Sequence, residues 1–388
     1  MTDTNARKSV KEALAQDQDE LEEREVGDEH SFPTSLAEFL APDLRDPVKY
    51  RRRAAKFLTM PVEPFNPRAV NTVDEALDAM AKCSFQARQL GRALEVFWRM
   101  ANHPGCLKVL ALAGAMVPAG MGEAVCVMIE EGFVDAIVST GANITHDLVN
   151  SVKGAMVKGN AHFVGHPHVN DGELFDLRIN RIYDTFLPDE YYNAARAFYF
   201  QALVKLYGTG RVVKRPSEVF ADLGLRLPRR SFVKVAAEHG VPVFCGATSD
   251  SDFGMLLAEK REKGELNLVL DELGDVIEFG NLVKQYDAHG NVIVGGGVPR
   301  NWVQQIFPFL ELKGAPRGEE GRGYEYSVRF HTALEYDGGL SGCTIAESKS
   351  WGKYVKGARH ASVWVDATIA LPLVVTAMVQ RKKEKRKA

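Results

Sequence analysis

LKVLALA at Leu107–Ala113 is followed by the longer segment Gly120–Glu131 and then by VDAIVS at Val134–Ser139. A short apolar run favours a buried strand, whereas a longer amphipathic segment favours a helix. This stretch therefore predicts a strand–helix–strand unit, in which the two strands are parallel and the helix crosses between them.

The same alternation continues toward the C-terminus. Further strands are predicted at Ala161–Val164, Val241–Phe244, Leu266–Leu270, Val292–Val294, Tyr326–Phe330 and Ser362–Val365. Helices are predicted between them at Ile144–Val152, Tyr191–Tyr207, Phe253–Glu262, Asp275–Tyr286 and Trp302–Phe309, and after them near Ala367–Gln380. This order indicates a mostly parallel sheet with helices on both faces. We expect one α/β domain over residues 40–380.

The two ends of the chain differ from this core. Residues 1–30 are polar and acidic and lack periodic apolar content, which predicts a mobile arm. Residues 381–388 are a basic run that we expect to be a solvated tail. We find no signal-peptide pattern in the first residues. The thirteen residues Ala367–Val379 are too short to cross a bilayer and are better read as a core element.

The composition excludes several classes of function. The chain has 388 residues with 48 Lys+Arg and 51 Asp+Glu, so no overall field favours nucleic acid or an anionic membrane. Its five cysteines are scattered and never spaced as CxxC, which argues against a disulfide framework or a zinc knuckle and favours a reducing compartment. These features predict a soluble cytoplasmic protein with no nucleic-acid or membrane partner.

Two glycine-containing turns follow predicted strands and lead into helices. They are Ser139–Asn143 (STGAN) and Gly295–Pro299 (GGGVP). In an open parallel sheet, ligands bind beyond the carboxyl ends of the strands, and small residues let backbone N–H groups approach a phosphate. Neither turn is the GxGxxG fingerprint, so a nucleotide site and ordinary tight turns are equally good interpretations.

Aspartates follow two other predicted strands. Asp250 and Asp252 come after Val241–Phe244 and could hold a metal or ribose hydroxyls, and Asp366 comes after Ser362–Val365 and could hold a ribose. Helix capping is the commoner use of aspartates at such positions. Both interpretations stay open on the sequence.

Two other patterns argue against particular chemistries. His162, His166 and His168 form HxxxHxH, but no carboxylate stands at metal-site spacing, so loop histidines are the better interpretation and no metal site is predicted. Ser341 lies in GLSG rather than in the GxSxG elbow, which argues against a hydrolase serine.

Lys353, in the stretch Glu347–Lys353 (ESKSWGK), is the strongest candidate for a reacting group. An indole such as Trp351 can exclude water, which disfavours the charged ammonium, and a neutral lysine can attack a carbonyl or imine carbon. Asp337 and Glu347 lie upstream, and if they were buried together they would form an anionic pocket suited to a polyamine. Unrelated surface acids are an equally good interpretation on spacing alone.

These motifs, in this order, resemble the deoxyhypusine synthase family. The resemblance covers about residues 105–380 and looks most like the prokaryotic deoxyhypusine-synthase-like branch, which is related to homospermidine-forming enzymes. The matching motifs are STGA at Ser139–Ala142, INRI at Ile179–Ile182, GGGV at Gly295–Val298, TALEYDG at Thr332–Gly338, SWGK at Ser350–Lys353 and VDA at Val365–Ala367.

The resemblance implies a Rossmann-like, doubly wound subunit that uses NAD and assembles as a homotetramer with sites across subunit interfaces. In the family, NAD oxidises spermidine, and the lysine at the position of Lys353 captures the aminobutyl group as an imine. An acceptor amine then displaces that lysine, and NADH reduces the product. The acceptor is a translation-factor lysine in deoxyhypusine synthase and putrescine in the homospermidine-forming relatives.

The resemblance also implies roles for individual residues. Lys353 would be the catalytic residue. The substrate site would be lined by Asn301, Asp337, Ser341, Glu347 and Trp351. The NAD contacts would come from Thr140, Gly141, Ala142, Asp250, Gly296, Thr332, Ala333, Asp366 and Ala367.

Four positions depart from the family pattern. Met255 and Leu340 stand where the eukaryotic enzyme has aspartates, Asn301 where it has a histidine, and His146 where a glutamate is expected. Because amine-binding groups have been replaced, we expect a small amine rather than a protein lysine as the acceptor.

The leading hypothesis is therefore an NAD-dependent aminobutyl transferase of polyamine metabolism that acts through a lysine imine and transfers to a small amine, giving a homospermidine-type product. Three alternatives remain open on the sequence. The chain could be a true deoxyhypusine synthase that modifies a translation factor, an NAD-dependent amine dehydrogenase that accumulates NADH, or a non-catalytic protein that binds NAD or a polyamine.

Overall fold

A computed structural model describes residues 47–153, 161–315 and 322–387. The chain divides into two compact units, residues 1–63 and 64–388. The described part of the first unit contains helix α1 at Pro47–Ala54. The predicted arm of residues 1–30 lies outside the described residues. The predicted strands and helices all lie in the second unit. The predicted domain of residues 40–380 begins earlier, so it also includes residues of the first unit.

The second unit alternates strands and helices along most of its length. Its strands are β1 Cys106–Leu112, β2 Ala136–Ser139, β3 Phe163–Val164, β4 Ile179–Ile182, β5 Thr185–Pro188, β6 Arg211–Lys214, β7 Val243–Cys245, β8 Asn267–Leu270, β9 Ala288–Val294, β10 Tyr324–His331 and β11 Tyr354–Trp364. Its helices are α2 Val73–Ala81, α3 Phe85–Ala101, α4 Gly122–Glu130, α5 Gly141–Lys153, α6 Asp171–Asp176, α7 Asp189–Tyr207, α8 Pro216–Gly224, α9 Phe232–Glu238, α10 Asp252–Glu262, α11 Glu272–Val283, α12 Gly297–Gln304, α13 Ile306–Leu312, α14 Ile345–Ser350 and α15 Ala367–Lys387.

Six strands form one fully parallel sheet in the order β7–β2–β1–β9–β10–β11. The chain runs outward from β1 to one edge, returns to β9 beside β1, and then runs outward to the other edge. This is the doubly wound Rossmann order, and it leaves a crevice at the carboxyl ends of β1 and β9, where the connections diverge. The prediction of a Rossmann-like, doubly wound sheet is confirmed.

Side chains of the central strands alternate between two apolar cores. In β1, Leu110 and Leu112 belong to the larger core, which includes residues of α3 and α15. Val109 and Ala111 belong to the smaller core, which includes residues of α11, α12 and α13. A parallel sheet needs helices on both faces because its strands are apolar on both sides, and this alternation shows that both faces are covered.

Four predicted elements differ in the structure. β3 does not join the main sheet but pairs with β5 in a separate antiparallel sheet. β8 does not join the main sheet but pairs with β6 in a separate two-stranded parallel sheet. The helix predicted at Trp302–Phe309 is two helices, α12 and α13. β11 begins at Tyr354, directly after Lys353, rather than at Ser362. It is an edge strand with several exposed positions, and an edge strand does not need the continuous apolar run on which the prediction relied.

The basic run at the C-terminus continues α15 as far as Lys387 instead of leaving the fold at residue 381. The first two residues of this basic run, Arg381 and Lys382, contact acidic side chains of the second unit. Arg381 Nε donates to Asp74 Oδ1 at 2.9 Å, and Lys382 Nζ lies 2.9 Å from Glu131 Oε2. Over the described ranges, no helix has the length and apolar character needed to cross a membrane.

Candidate active site

The residues predicted to contact NAD follow the carboxyl ends of the main-sheet strands. Thr140 follows β2, Asp250 follows β7, Gly296 follows β9, Thr332 follows β10 and Asp366 follows β11. Because the strands are parallel, these ends share one edge of the sheet. The fold therefore brings together turns that lie far apart in the sequence, and NAD contacts at these turns stay a prediction.

Each glycine of the Gly295–Gly297 turn has a structural reason to be glycine. Gly295 and Gly297 have φ of 75° and 60°, a region that side chains with a Cβ rarely adopt. A Cβ on Gly296 would lie 2.7 Å from the Cβ of Ser341. Ser341 Oγ in turn accepts a hydrogen bond from Gly297 N–H at 3.0 Å. The turn therefore fixes the loop that contains Ser341, a residue predicted to bind substrate.

Helix capping accounts for one of the aspartates. Asp366 Oδ1 accepts hydrogen bonds from the Thr368 backbone N–H at 2.8 Å and from its hydroxyl at 2.6 Å, at the start of α15. After β7, the cap of α10 is Ser251, whose Oγ accepts from Gly254 N–H at 3.1 Å. Asp252 instead accepts from the Tyr199 hydroxyl at 2.8 Å, and Asp250 is exposed.

Lys353 is buried, with 7% of the residue exposed, and its Nζ donates to Asn301 Oδ1 at 3.1 Å. Lys353 precedes β11, and Asn301 lies on α12 just after the glycine turn. The pKa of the Lys353 ammonium is lowered, mainly because of burial. The positive charge of Arg300 lowers the pKa further, whereas Cys343 and Glu347 raise it. A lowered pKa increases the neutral, nucleophilic fraction of the amine.

Three other predicted substrate residues lie at the surface of the single chain. Trp351 is 61% exposed, so the indole is not the main source of the burial of Lys353. Asp337 and Glu347 are exposed as well, and the buried anionic pocket considered from the sequence does not form within the described chain. Both carboxylates belong to the connection between β10 and β11, as Lys353 does.

Two buried arginines that were not predicted from the sequence fix the connection between β10 and β11 by hydrogen bonds. Arg300 and Arg329 are each 1% exposed. Arg300 donates to the carbonyl oxygens of Leu340 at 2.8 Å and Cys343 at 2.7 Å. Arg329 donates to Cys343 O at 2.9 Å and also to Ser341 O. Hydrogen bonds from charged donors are worth about 1.5–3 kcal/mol each, so the loop at residues 340–343 is firmly fixed.

A signal for Arg329 was present in the sequence. Arg329 interrupts the apolar strand predicted at Tyr326–Phe330, and a charged residue inside a buried strand must find polar partners. Burial, reinforced by Arg300, lowers the pKa of Arg329 to about 10. Arg300 directly precedes Asn301, but the residues around it in the sequence do not indicate that it donates to carbonyl oxygens of the distant loop at residues 340–343.

A cavity of about 290 Å³ opens beside Asn301. Its lining is mainly apolar and includes Leu340, one of the positions that departs from the family pattern. Lys353 does not line this cavity itself, but Asn301, which accepts the hydrogen bond of Lys353 Nζ, is one of its lining residues. Its lining residues are Gly246, Val276, Phe279, Val298, Asn301, Trp302, Gln305, Ile306, Phe309 and Leu340. Met255 lies elsewhere, on α10, and is exposed.

The histidines of the HxxxHxH pattern separate into two groups. His162 Nε2 lies 2.9 Å from Nδ1 of His146, and burial lowers the pKa of His162 to about 3 and that of His146 to about 4. His166 and His168 instead contact each other. Among the described residues, no group of three His, Cys, Asp or Glu side chains is placed to hold a metal.

With this geometry in place, comparison with known proteins identifies the family. The family model described as deoxyhypusine synthase matches residues 75–378. The chain belongs to the deoxyhypusine synthase family. The resemblance seen in the motifs is thereby confirmed, and membership of the family supports an aminobutyl transferase.

Several relatives in the deoxyhypusine synthase family match most of the chain. A probable deoxyhypusine synthase 2 of Methanosarcina acetivorans is 36% identical over 83% of this chain and 90% of its own length. A probable deoxyhypusine synthase 2 of Archaeoglobus fulgidus is 36% identical over 79% of this chain and 98% of its own length. A deoxyhypusine synthase-like protein of Chlorobaculum parvum is 33% identical over 82% of this chain and 89% of its own length.

The fold is shared with a solved structure. The crystal structure of a protein assigned as a deoxyhypusine synthase from Entamoeba histolytica has a TM-score of 0.54 and 16% identity, and the match covers 82% of this chain and 97% of that one. At that identity, the likeness shows the fold.

Proposed function

We propose that this deoxyhypusine synthase family member is an NAD-dependent aminobutyl transferase. It takes the group from a polyamine, holds it as an imine at Lys353 and passes it to a small amine. The observation that carries the proposal is the buried Nζ of Lys353, with its lowered pKa and its hydrogen bond to Asn301. Such an amine is suited to covalent catalysis at a carbon–nitrogen bond.

Features of the sheet edge support NAD as the cofactor. Gly114 and Gly295 follow β1 and β9 at the crevice, with φ of 76° and 75°, so at these positions no Cβ stands between the backbone and a ligand. Helices α5 and α12 begin at the same edge, and helix N-termini favour a pyrophosphate. Thr140, Gly296 and Thr332 would line this site. Bound there, NAD would accept a hydride from the donor amine and return it to the product.

The chain itself supplies the covalent step. Once the donor carbon–nitrogen bond has been oxidised to an imine, the neutral Nζ of Lys353 attacks the imine carbon and the diamine portion leaves. The acceptor amine then attacks the same carbon, and Lys353 leaves as the free amine. Reduction of the remaining C=N bond would use the hydride taken from the donor and one proton, so the cycle would need no net oxidant.

Exposed groups around Lys353 support a polyamine donor and an assembled site. Asp337 and Glu347 can pair with ammonium groups while staying hydrated, which costs less than burying a carboxylate. Trp351 exposes a large apolar ring next to Lys353 in the sequence, which a neighbouring subunit would cover in a homotetramer with sites at subunit interfaces.

Borohydride trapping tests this function. The protein is incubated with NAD and spermidine and reduced with borohydride, and the Lys353 peptide is examined by mass spectrometry. We expect a reduced aminobutyl adduct in the wild type and in the exposed-lysine control Lys349→Ala. We expect no adduct in Lys353→Ala, whose transfer rate should fall on the order of 10³-fold or more, the scale of losing a covalent catalyst.

Two results would contradict the function. One is the absence of an adduct in the wild type with every polyamine tried. The other is NADH that accumulates in proportion to the amine consumed, because a transferase returns its hydride and only a dehydrogenase would leave NADH behind.

A further inference from the structure

The cavity beside Asn301 has walls that do not match a cation. Aromatic and branched aliphatic side chains make up most of its surface, and its polar side chains are the amides of Asn301 and Gln305. None of its lining residues is acidic. Burying an ammonium against such walls without a hydrogen-bonded counterion is costly.

We propose that this cavity binds the body of the acceptor, and that the acceptor is a primary monoamine with an uncharged aromatic or branched aliphatic body. This inference rests on the proposed function and specifies its acceptor. The amine nitrogen points toward Asn301 and Lys353, and the uncharged body lies against Val298, Trp302 and Leu340.

The position of Asn301 connects the cavity to the chemistry. Its Oδ1 accepts from Lys353 Nζ at 3.1 Å and the same residue lines the cavity, so Asn301 is the link between an acceptor nitrogen bound in the cavity and the imine carbon on Lys353. That nitrogen forms a new bond to the imine carbon as the bond to Nζ breaks, and its surplus proton passes to the departing lysine. Bound NAD would supply the hydride that it had taken from the donor, so no further oxidant or reductant would be needed.

Two other acceptors fit the cavity less well. The distal ammonium of putrescine would lie against apolar walls or have to reach back to solvent. The stem of a protein lysine is an unbranched chain of four methylenes, so it would contact the aromatic and branched walls less fully than a ring or a branched body does. Unfilled apolar volume forfeits the dispersion contacts that a snug ligand makes.

The test compares three acceptors with spermidine as donor. They are 2-phenylethylamine, putrescine and the N-methylamide of Nα-acetyl-lysine, which mimics a protein lysine. We expect kcat/KM for 2-phenylethylamine to exceed that for either competitor by about tenfold or more, the scale of apolar-pocket discrimination. Calorimetric titration of 2-phenylethylamine into the protein with NAD measures binding without turnover.

Leu340→Asp places a carboxylate in the cavity wall at a position exposed enough to keep it charged. We expect it to shift the kcat/KM ratio toward putrescine by at least about tenfold and to weaken 2-phenylethylamine binding similarly. The matched control is Leu273→Asp, an exposed position in the first turn of α11 that does not line the cavity. It should leave both measurements unchanged.

The outcomes separate this inference from the proposed function. If no amine is transferred but Leu340→Asp still weakens 2-phenylethylamine binding by about tenfold or more, the transferase function falls and the cavity assignment stands. Transfer that prefers putrescine or the lysine mimic in the wild type overturns the inference and keeps the function. Binding of 2-phenylethylamine that ignores Leu340→Asp also overturns the inference.

Discussion

The two sides of Lys353 differ in chemical character. On one side, Asp337 and Glu347 stand exposed on the connection between β10 and β11. On the other, Val298, Trp302 and Leu340 line a mainly apolar cavity that is also lined by Asn301, the hydrogen-bond partner of Lys353. Hydrated carboxylates hold cations at little cost, whereas apolar groups gain free energy by leaving water. The difference suggests that donor and acceptor approach the same lysine from unlike surroundings.

Both sides depend on the same support. Arg300 and Arg329 hold residues 340–343 through carbonyl oxygens, and Ser341 ties that loop to the glycine turn. The support also acts on the nucleophile, because the Arg300 guanidinium lowers the pKa of Lys353. Changes to the support should therefore disturb both sides, whereas changes to one side should disturb one substrate.

Removal of the support should have the largest effect. In Arg300→Met, the carbonyl oxygens of Leu340 and Cys343 lose their donor, and the pKa of Lys353 rises because a neighbouring positive charge is gone. We expect transfer to fall on the order of 10²-fold, the scale of a misplaced catalytic group. The acidic limb of the pH–rate profile should move to higher pH.

Arg300→Lys is the matched control for that variant. It keeps the positive charge but cannot make the same set of hydrogen bonds, so the pH profile should stay near that of the wild type while the rate still falls. A profile that moves equally in both variants would show that Arg300 acts on Lys353 through loop structure and not through its charge.

Changes to the polar side should have a smaller and selective effect. Glu347→Gln removes an exposed carboxylate, and exposed ion pairs are worth up to about 1 kcal/mol, so we expect KM for spermidine to rise about two- to fivefold. KM for the acceptor should not change. Asp337→Asn should behave in the same way, and an equal change in both KM values would mean that the two sides are not separate.

The smallest effect concerns the stability cost of burying Lys353. Its pKa is lower in the folded chain than its ordinary value, so between those two values the unfolded chain binds more protons and stability rises with pH. Lys353→Met removes this penalty and should raise the free energy of unfolding at pH 7. The gain should shrink as the pH rises through the lowered pKa.

Urea unfolding at several pH values measures this effect. The exposed Lys349→Met is the control and should show no such pH dependence. A Lys353→Met variant that is less stable than the wild type at pH 7 would mean that the hydrogen bond to Asn301 outweighs the cost of burial.

Local patterns predicted much of the fold. The apolar runs at Leu107–Ala113 and Val134–Ser139 became β1 and β2 because burial on both faces leaves a continuous apolar signal. The edge strand β11 was placed too late, since its exposed positions weaken that signal. Lys353 was also identified from the sequence, through the SWGK motif, but its hydrogen bond to Asn301 and the exposure of Trp351 were not.

By itself, the sequence determined the parallel α/β architecture, the family and the candidate nucleophile, because apolar periodicity and short motifs are local properties. Only the tertiary structure decided that Arg300 and Arg329 converge on one loop and that Leu340, Trp302 and Asn301 face one cavity. Those contacts join residues from separate connections, and their distances follow from the order of strands in the sheet. That order is set by packing over the whole domain and not by any single stretch of chain.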